Sequence, residues 1–310
     1  MKQLIEGTTA YATFSNDAKK NTLSHAYMLH FSDIKNLMET LKIFALRFFG
    51  ESEISRDGKR ILNGNFPDFK IYPDEGKKLT ADGVSELIAD SALQPLERDK
   101  KLYIISGFND ASPLIQNKLL KTLEEPPRGV YFILGVISPA PVLDTVKSRV
   151  KTLTIPPFSE EDIYLALERR GENSLNRQAA ESCGGILGAA ENMVDGGWFK
   201  EIVQGAEEIC SVTRVGDIGE VAIKYGDVKN KGELLTEIAL TYHRALCERV
   251  QGKELGKIAR LWQMPSLIYA VESVDKACAD LKFNAFFQGL LYDLMLRIVE
   301  ENDKWLKLQE

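Results

Sequence analysis

The amino-acid sequence predicts an α/β domain followed by all-α segments, on three observations. In the first half, short β-rich apolar runs alternate with helical patterns, the signature of a parallel sheet covered by helices. Runs such as Tyr131-Phe132-Ile133-Leu134 are apolar without alternation, which suits strands buried on both faces. From Trp198 onward no strand pattern is persuasive, and helical periodicity carries to the end.

The expected strands are Ala26–Leu29, Phe69–Tyr72, Leu102–Ile105, Tyr131–Val136 and Thr152–Ile155, with helices over Asp33–Phe49, Ala81–Leu93 and Pro113–Glu125 between them. In the third helix Ser112 is the N-cap and Pro113 takes the first helical position. Ile115, Leu119 and Leu123 form its apolar stripe, and Pro126-Pro127 stop it. Pro156-Pro157 mark the next boundary, after which Ser159 and Asp162 read as a capping-box-like start to a helix through Arg169. Shorter helical pieces, Leu175–Ser182 and Ile186–Met193, flank the Cys183-Gly184-Gly185 turn, and Asp195-Gly196-Gly197 breaks the chain again. Segments such as Leu234–Val250, Ser266–Leu281 and Ala285–Val299 carry the later helical periodicity. The expected domains are 1–155 (α/β), 156–196 (small helical) and 197–310 (larger helical).

At 310 residues the chain exceeds what one core usually serves. A formal net charge of −6 argues against an autonomous nucleic-acid binder, because phosphate neutralisation needs a surplus of Lys and Arg on some face. No apolar run approaches the ~20 residues of a membrane span. The N-terminus has no apolar signal stretch, so a cytoplasmic location and no membrane partner are expected. Cys183, Cys210, Cys247 and Cys278 are far apart, and His25, His30 and His243 are scattered. Neither set suggests a metal, and buried thiols are the expectation. No nucleophilic triad stands out, and no GxGxxG follows a strand, which disfavours a Rossmann-type enzyme.

Several strings together resemble a known family: Leu23-Ser24-His25-Ala26-Tyr27, Gly64-Asn65-Phe66-Pro67-Asp68, the run Leu119-Leu120-Lys121-Thr122-Leu123-Glu124-Glu125-Pro126-Pro127, and Ser148-Arg149-Val150. In order and spacing they are similar to the bacterial clamp-loader subunits, the gamma/tau and delta-prime chains of the DNA polymerase III holoenzyme. Leu281-Lys282-Phe283-Asn284-Ala285 and the helix after it look like that family's collar. The resemblance implies an AAA+ parallel-sheet domain, a helical lid domain and a helical collar domain that oligomerises with sister subunits.

It also allows the ATP chemistry to be checked. A P-loop needs GxxxxGK[ST], whose backbone amides cradle phosphate and whose Lys reaches the terminal phosphates. The corresponding Phe31-Ser32-Asp33-Ile34-Lys35-Asn36-Leu37-Met38 has no glycine, places Leu37 and Met38 where Lys and Ser/Thr belong, and carries Asp33, which would repel phosphate. Its plainer reading is a helix start capped by Ser32 or Asp33. The Walker B strand should end in Asp-Glu but ends in Ser106-Gly107. Gly135-Val136-Ile137 replaces the polar sensor turn, and Gly184-Gly185-Ile186-Leu187-Gly188-Ala189 carries no basic sensor-2 residue. No catalytic residue in cis and no cofactor are expected. Gly50–Phe69 contains no cysteine, so the family's zinc insertion is not expected either.

One element remains. Ser148-Arg149-Val150 matches the Ser-Arg-Cys motif whose Arg reaches into the neighbouring subunit's ATP site, with Val150 departing at the last position. Such a finger stabilises charge on the transferred phosphoryl group; the plainer reading is a surface Arg in an ion pair. The implied partners are gamma/tau-type ATPase subunits, the delta subunit, the sliding clamp, and primed DNA through the assembled complex. The alternatives are an ATP-hydrolysing gamma/tau-like subunit, which nucleotide binding would reveal, and an AAA+-fold scaffold outside replication, which a pull-down would reveal. Glu124-Glu125 are expected to be solvated or bonded to a neighbour; Lys77-Lys78 and Lys100-Lys101 read as solvated loop charge, with a basic inner face as the alternative.

Overall fold

The computed structural model describes residues 1–74, 77–252, 255–281 and 286–308. Its elements in chain order begin with α1 (Lys2–Glu6), α2 (Thr9–Lys19), β1 (Ala26–Phe31), α3 (Leu37–Phe49), α4 (Arg56–Leu62), β2 (Phe69–Tyr72) and α5 (Ala81–Ser91). They continue with β3 (Lys101–Ile105), α6 (Pro113–Glu124), β4 (Val130–Val136), α7 (Asp144–Lys147), β5 (Lys151–Ile155) and α8 (Glu160–Arg170). Then follow α9 (Asn176–Ser182), α10 (Leu187–Asp195), α11 (Trp198–Cys210), α12 (Val215–Gly226), α13 (Lys231–Gln251), α14 (Lys257–Leu261), α15 (Met264–Leu281) and α16 (Phe287–Lys307). The α/β plus all-α class expected from the sequence is the class observed. Residues 282–285 of the collar-like string lie outside the described residues.

The chain divides into two compact units, Met1–Ala166 with Gly185–Ala189, and Leu167–Gly184 with Ala190–Glu310. Residues 156–196 are therefore shared between the two.

In the first unit five parallel strands run in the order β2-β3-β4-β1-β5. The register brings Ala26 beside Phe132 on one side of β1, and Phe31 beside Ile155 on the other. Successive side chains enter different cores, as the pleat requires. Tyr27, Leu29, Leu102, Ile104 and Ile133 pack with Leu41, Phe44 and Phe48 of α3. Met28, Tyr103, Ile105, Phe132 and Leu134 pack with Val84 and Leu87 of α5 and Leu119 and Leu123 of α6. At Gly135 α3 presses on β4, and a Cβ there would lie 2.7 Å from Leu41 Cδ1, so the buried Leu41 would have to move.

Caps account for the expected helix starts. Ser112 Oγ accepts from Ile115 N, and Ser159 Oγ accepts from Asp162 N while donating to the Asp162 carboxylate. The helix expected from Asp33 begins instead at Leu37. Asp33 bonds the Asn36 backbone amide at 3.2 Å in a turn, which delays the first helical residue.

Lys101, expected as solvated loop charge, is 3% exposed and opens β3. Its Nζ donates to Asp90 Oδ2 at 3.0 Å, and Lys70 Nζ and Tyr103 OH donate to the same carboxylate. Burial would raise the Asp90 pKa, but the hydrogen bonds from Lys70, Tyr103 and Lys101 outweigh it and hold the carboxyl at about 2, below its ordinary 3.8. A depressed carboxyl pKa stabilises the fold above the unfolded value and loses that contribution as pH falls through the folded value. Asp90→Asn should therefore cost roughly 2 kcal/mol at neutral pH. The deficit should shrink between about pH 4 and pH 2, which urea midpoints of both proteins across that range would measure. A deficit independent of pH there would remove the ionised carboxylate as its cause.

The second unit is helical. The long α13 packs against α15, α11, α14 and α9, and α16 packs against α12 and α15. Trp262 is fully buried, donates its indole N–H to the Cys210 carbonyl at 2.7 Å, and meets Tyr242 edge to face. Glu237 is also fully buried. Burial pushes its carboxyl pKa up, against the opposing effect of Ser182 Oγ at 2.6 Å and the Arg244 guanidinium. Cys183 and Cys210 are buried as expected, whereas Cys247 and Cys278 are half-buried on α13 and α15. Among the described residues no helix is long and apolar enough to cross a membrane.

Candidate functional site

Two places in the first unit bear on nucleotide chemistry: the turn between β1 and α3, and the rim at α7. In the turn, Ser32 and Lys35 are exposed and Ile34 is 73% exposed, while Asp33 is 1% exposed. The Asp33 carboxylate accepts from Asn36 N at 3.2 Å, Asn36 Nδ2 at 2.8 Å and Gly188 N at 2.7 Å. Gly188 belongs to the 185–189 stretch of the same unit and is the second residue of α10. The buried anion in this turn is thus the protein's own. A phosphate charge brought within 4 Å of it would be repelled by about 4 kcal/mol at an effective dielectric constant of 20.

The neighbouring strand ends make their hydrogen bonds within the fold. Beyond β3, Ser106 N donates to the Tyr72 carbonyl, and Gly107 adopts φ 63°. Asn109 is buried, and its Oδ1 accepts from Ile137 N at 3.1 Å, so the chain after β3 is tied to the end of β4. A cleft of about 960 Å³ runs along β2, but two of its lysines, Lys70 and Lys77, are paired with Asp90 and Asp74. Among the described residues no group of three or more His, Cys, Asp or Glu could hold a metal ion.

At the rim, α7 is a single turn that ends on Ser148, whose exposed Oγ donates to the Thr145 carbonyl at 3.1 Å. Arg149 follows with its side chain 31% exposed. Its Nη1 donates to the Thr145 carbonyl at 2.8 Å and to Ser148 Oγ at 3.3 Å. Nη2 pairs with Glu124 Oε2 at 3.3 Å, and Nε is buried without a hydrogen-bond partner. Ser148 and Arg149 are thus brought together with the end of α6. Glu124, expected to be solvated or bonded to a neighbour, is bonded to Arg149, and Glu125 is exposed. Sequence reasoning did not single out Glu124 as the partner of Arg149, nor Gly188 as the partner of Asp33. Sequence separations of 25 and 155 leave no periodic signal.

Residues 7–159 match the family described as "DNA polymerase III, delta subunit". The chain is 32% identical over 154 residues to DNA polymerase III subunit delta' of Bacillus subtilis, covering 48% of this chain and 47% of that protein. It is 30% identical over 161 residues to DNA polymerase III subunit tau/gamma of Haemophilus influenzae, covering 48% of this chain and 22% of that protein. The match therefore spans about half the length of the first relative and less of the second. A solved DNA polymerase III gamma subunit-related protein from Thermotoga maritima is 15% identical with a TM-score of 0.42, covering 93% of this chain and 98% of that one. Residues 7–159, which hold the whole sheet, the β1–α3 turn and Arg149, are thus similar to the DNA polymerase III delta-subunit family.

Proposed function

We propose that this chain is a clamp-loader subunit of DNA polymerase III, of the delta-prime type, that turns over no ATP and donates Arg149 in trans to a neighbouring ATPase subunit. It acts in the cytoplasm with gamma/tau-type ATPase subunits and a delta subunit to place the sliding clamp on primed DNA. Residues 197–310 serve as the collar that joins the sister subunits. The observation that carries the reading is the β1–α3 turn. Where an ATPase offers glycine amides and a lysine to phosphate, this chain offers a buried carboxylate whose hydrogen bonds are made within the fold. The half-exposed Arg149 supports the second part, because its guanidinium reaches the surface, held there by an exposed ion pair and by hydrogen bonds to the adjacent turn.

Calorimetry of the purified chain with Mg-ATP tests the first part. No saturable heat is expected into the high micromolar range. Binding of one ATP per chain would return the protein to the ATP-hydrolysing gamma/tau-like reading.

A further inference from the structure

We infer that the carboxylate of Asp33 is an internal anion: it fills an oxyanion cradle between the β1–α3 turn and the first turn of α10, and so closes the silent site with the chain's own side chain. The inference rests on the silent-site reading above and adds to it a reason beyond a missing lysine.

Three features carry it together. The carboxylate is 1% exposed, so both oxygens must be satisfied from within the fold. Its donors are two backbone amides and one side-chain amide, at 2.7–3.2 Å. Gly188 is shaped to it, since a Cβ at that position would run into Asp33 Oδ1 and lie 2.8 Å from Lys35 Cβ. Gly188 N is one of the first-turn amides that a helix cannot pair internally, and Asn36 N lies just before the first residue of α3. Donors so placed suit the oxygens of a carboxylate or a phosphate. Deleting the carboxylate would strand them in the interior, where an unpaired amide is costly. The space left would match a small oxyanion.

The test is thermal unfolding of the full chain as wild type, Asp33→Ala and Asp33→Asn, in sodium formate and in sodium chloride of equal ionic strength. Asp33→Ala should melt several degrees below wild type in chloride, and formate should recover most of that loss. Wild type should show no gain specific to formate. Asp33→Asn should not be recovered, because its amide still fills the space. If Asp33→Ala does not fold in chloride, refolding yield in formate against chloride becomes the readout, with the same expectation. An Asp33→Ala protein as stable as wild type would overturn the inference. So would the absence of formate-specific recovery, or an equal gain in wild type. Those results would leave the silent-site reading standing, whereas Mg-ATP binding by the wild type would sink that reading whatever formate does.

Discussion

Arg149→Ala is expected to leave folding and assembly intact and to lower ATP hydrolysis sharply at the site of the neighbouring subunit. The first half follows from the contacts. The Glu124 pair lies 3.3 Å apart with both side chains substantially exposed, and pairs of that kind contribute about 0–1 kcal/mol. The remaining bonds go to a carbonyl and a hydroxyl of the adjacent turn, where water can replace the guanidinium. The second half follows from the proposed role. An arginine finger in the best-measured GTPases contributes roughly 10³–10⁵ in rate, and a loader with several sites would show less because the other sites keep their own fingers. Arg149→Lys should rescue poorly, since an ammonium keeps the charge but loses the planar fork that engages two phosphate oxygens. The measurement is clamp- and DNA-stimulated hydrolysis by a loader reconstituted with each variant, with assembly checked on the same samples. Unchanged hydrolysis in a fully assembled Arg149→Ala complex would make Arg149 an ordinary surface residue and leave the chain a structural subunit.

The inner strands β3 and β4 were legible because burial on both faces writes a nearly unbroken apolar run, while the edge strands β2 and β5 mix polar and apolar residues; every expected strand lies within the observed one. Of the helices not named from the sequence, α2, α4 and α7 bury too little to leave a stripe, whereas α11 and α12 carry one. The 11 residues of α2 bury Ala10 and Phe14, α4 has seven residues with Gly58 inside, and α7 has four. Lys101 was misread because a lysine beside a loop normally faces water. What reverses that here is Asp90, placed by α5 where it meets Lys101, Lys70 and Tyr103 together. The β1–α3 turn was legible as missing glycines and a missing lysine, a statement about absent residue types. Its positive content, a carboxylate held by an amide 155 residues away, depends on tertiary structure and has no local signature. Arg149 stood out through its motif, while its pairing with the end of α6 had to wait for the fold.

Asp68→Ala should be the most destabilising of the polar substitutions considered, and the reason again joins motif to fold. Asp68 ends the Gly64-Asn65-Phe66-Pro67-Asp68 string and is fully buried just before β2. Its carboxylate accepts from three successive backbone amides, Leu96 N at 2.6 Å, Glu97 N at 2.8 Å and Arg98 N at 2.8 Å, while its carbonyl accepts from Leu102 N of β3. One side chain thereby fixes the loop that feeds β3. That loop carries Leu96, 77% exposed, together with Glu97 and Arg98, which pair with Arg60 and with Glu51 and Asp57. Hydrogen bonds to a charged group contribute about 1.5–3 kcal/mol each, and leaving buried groups unpaired adds to the cost. Because the loop is exposed, water can reach part of what Asp68 releases, so a loss of about 3–5 kcal/mol is expected, below the simple sum. Asp68→Asn keeps the volume and one accepting oxygen and should lose less. Urea unfolding measures both, and trypsin provides a local readout, since Arg98 and Lys100 lie in the released loop and should be cut faster in Asp68→Ala. Wild-type stability together with unchanged cleavage would mean that the ion pairs, and not Asp68, hold this loop in place.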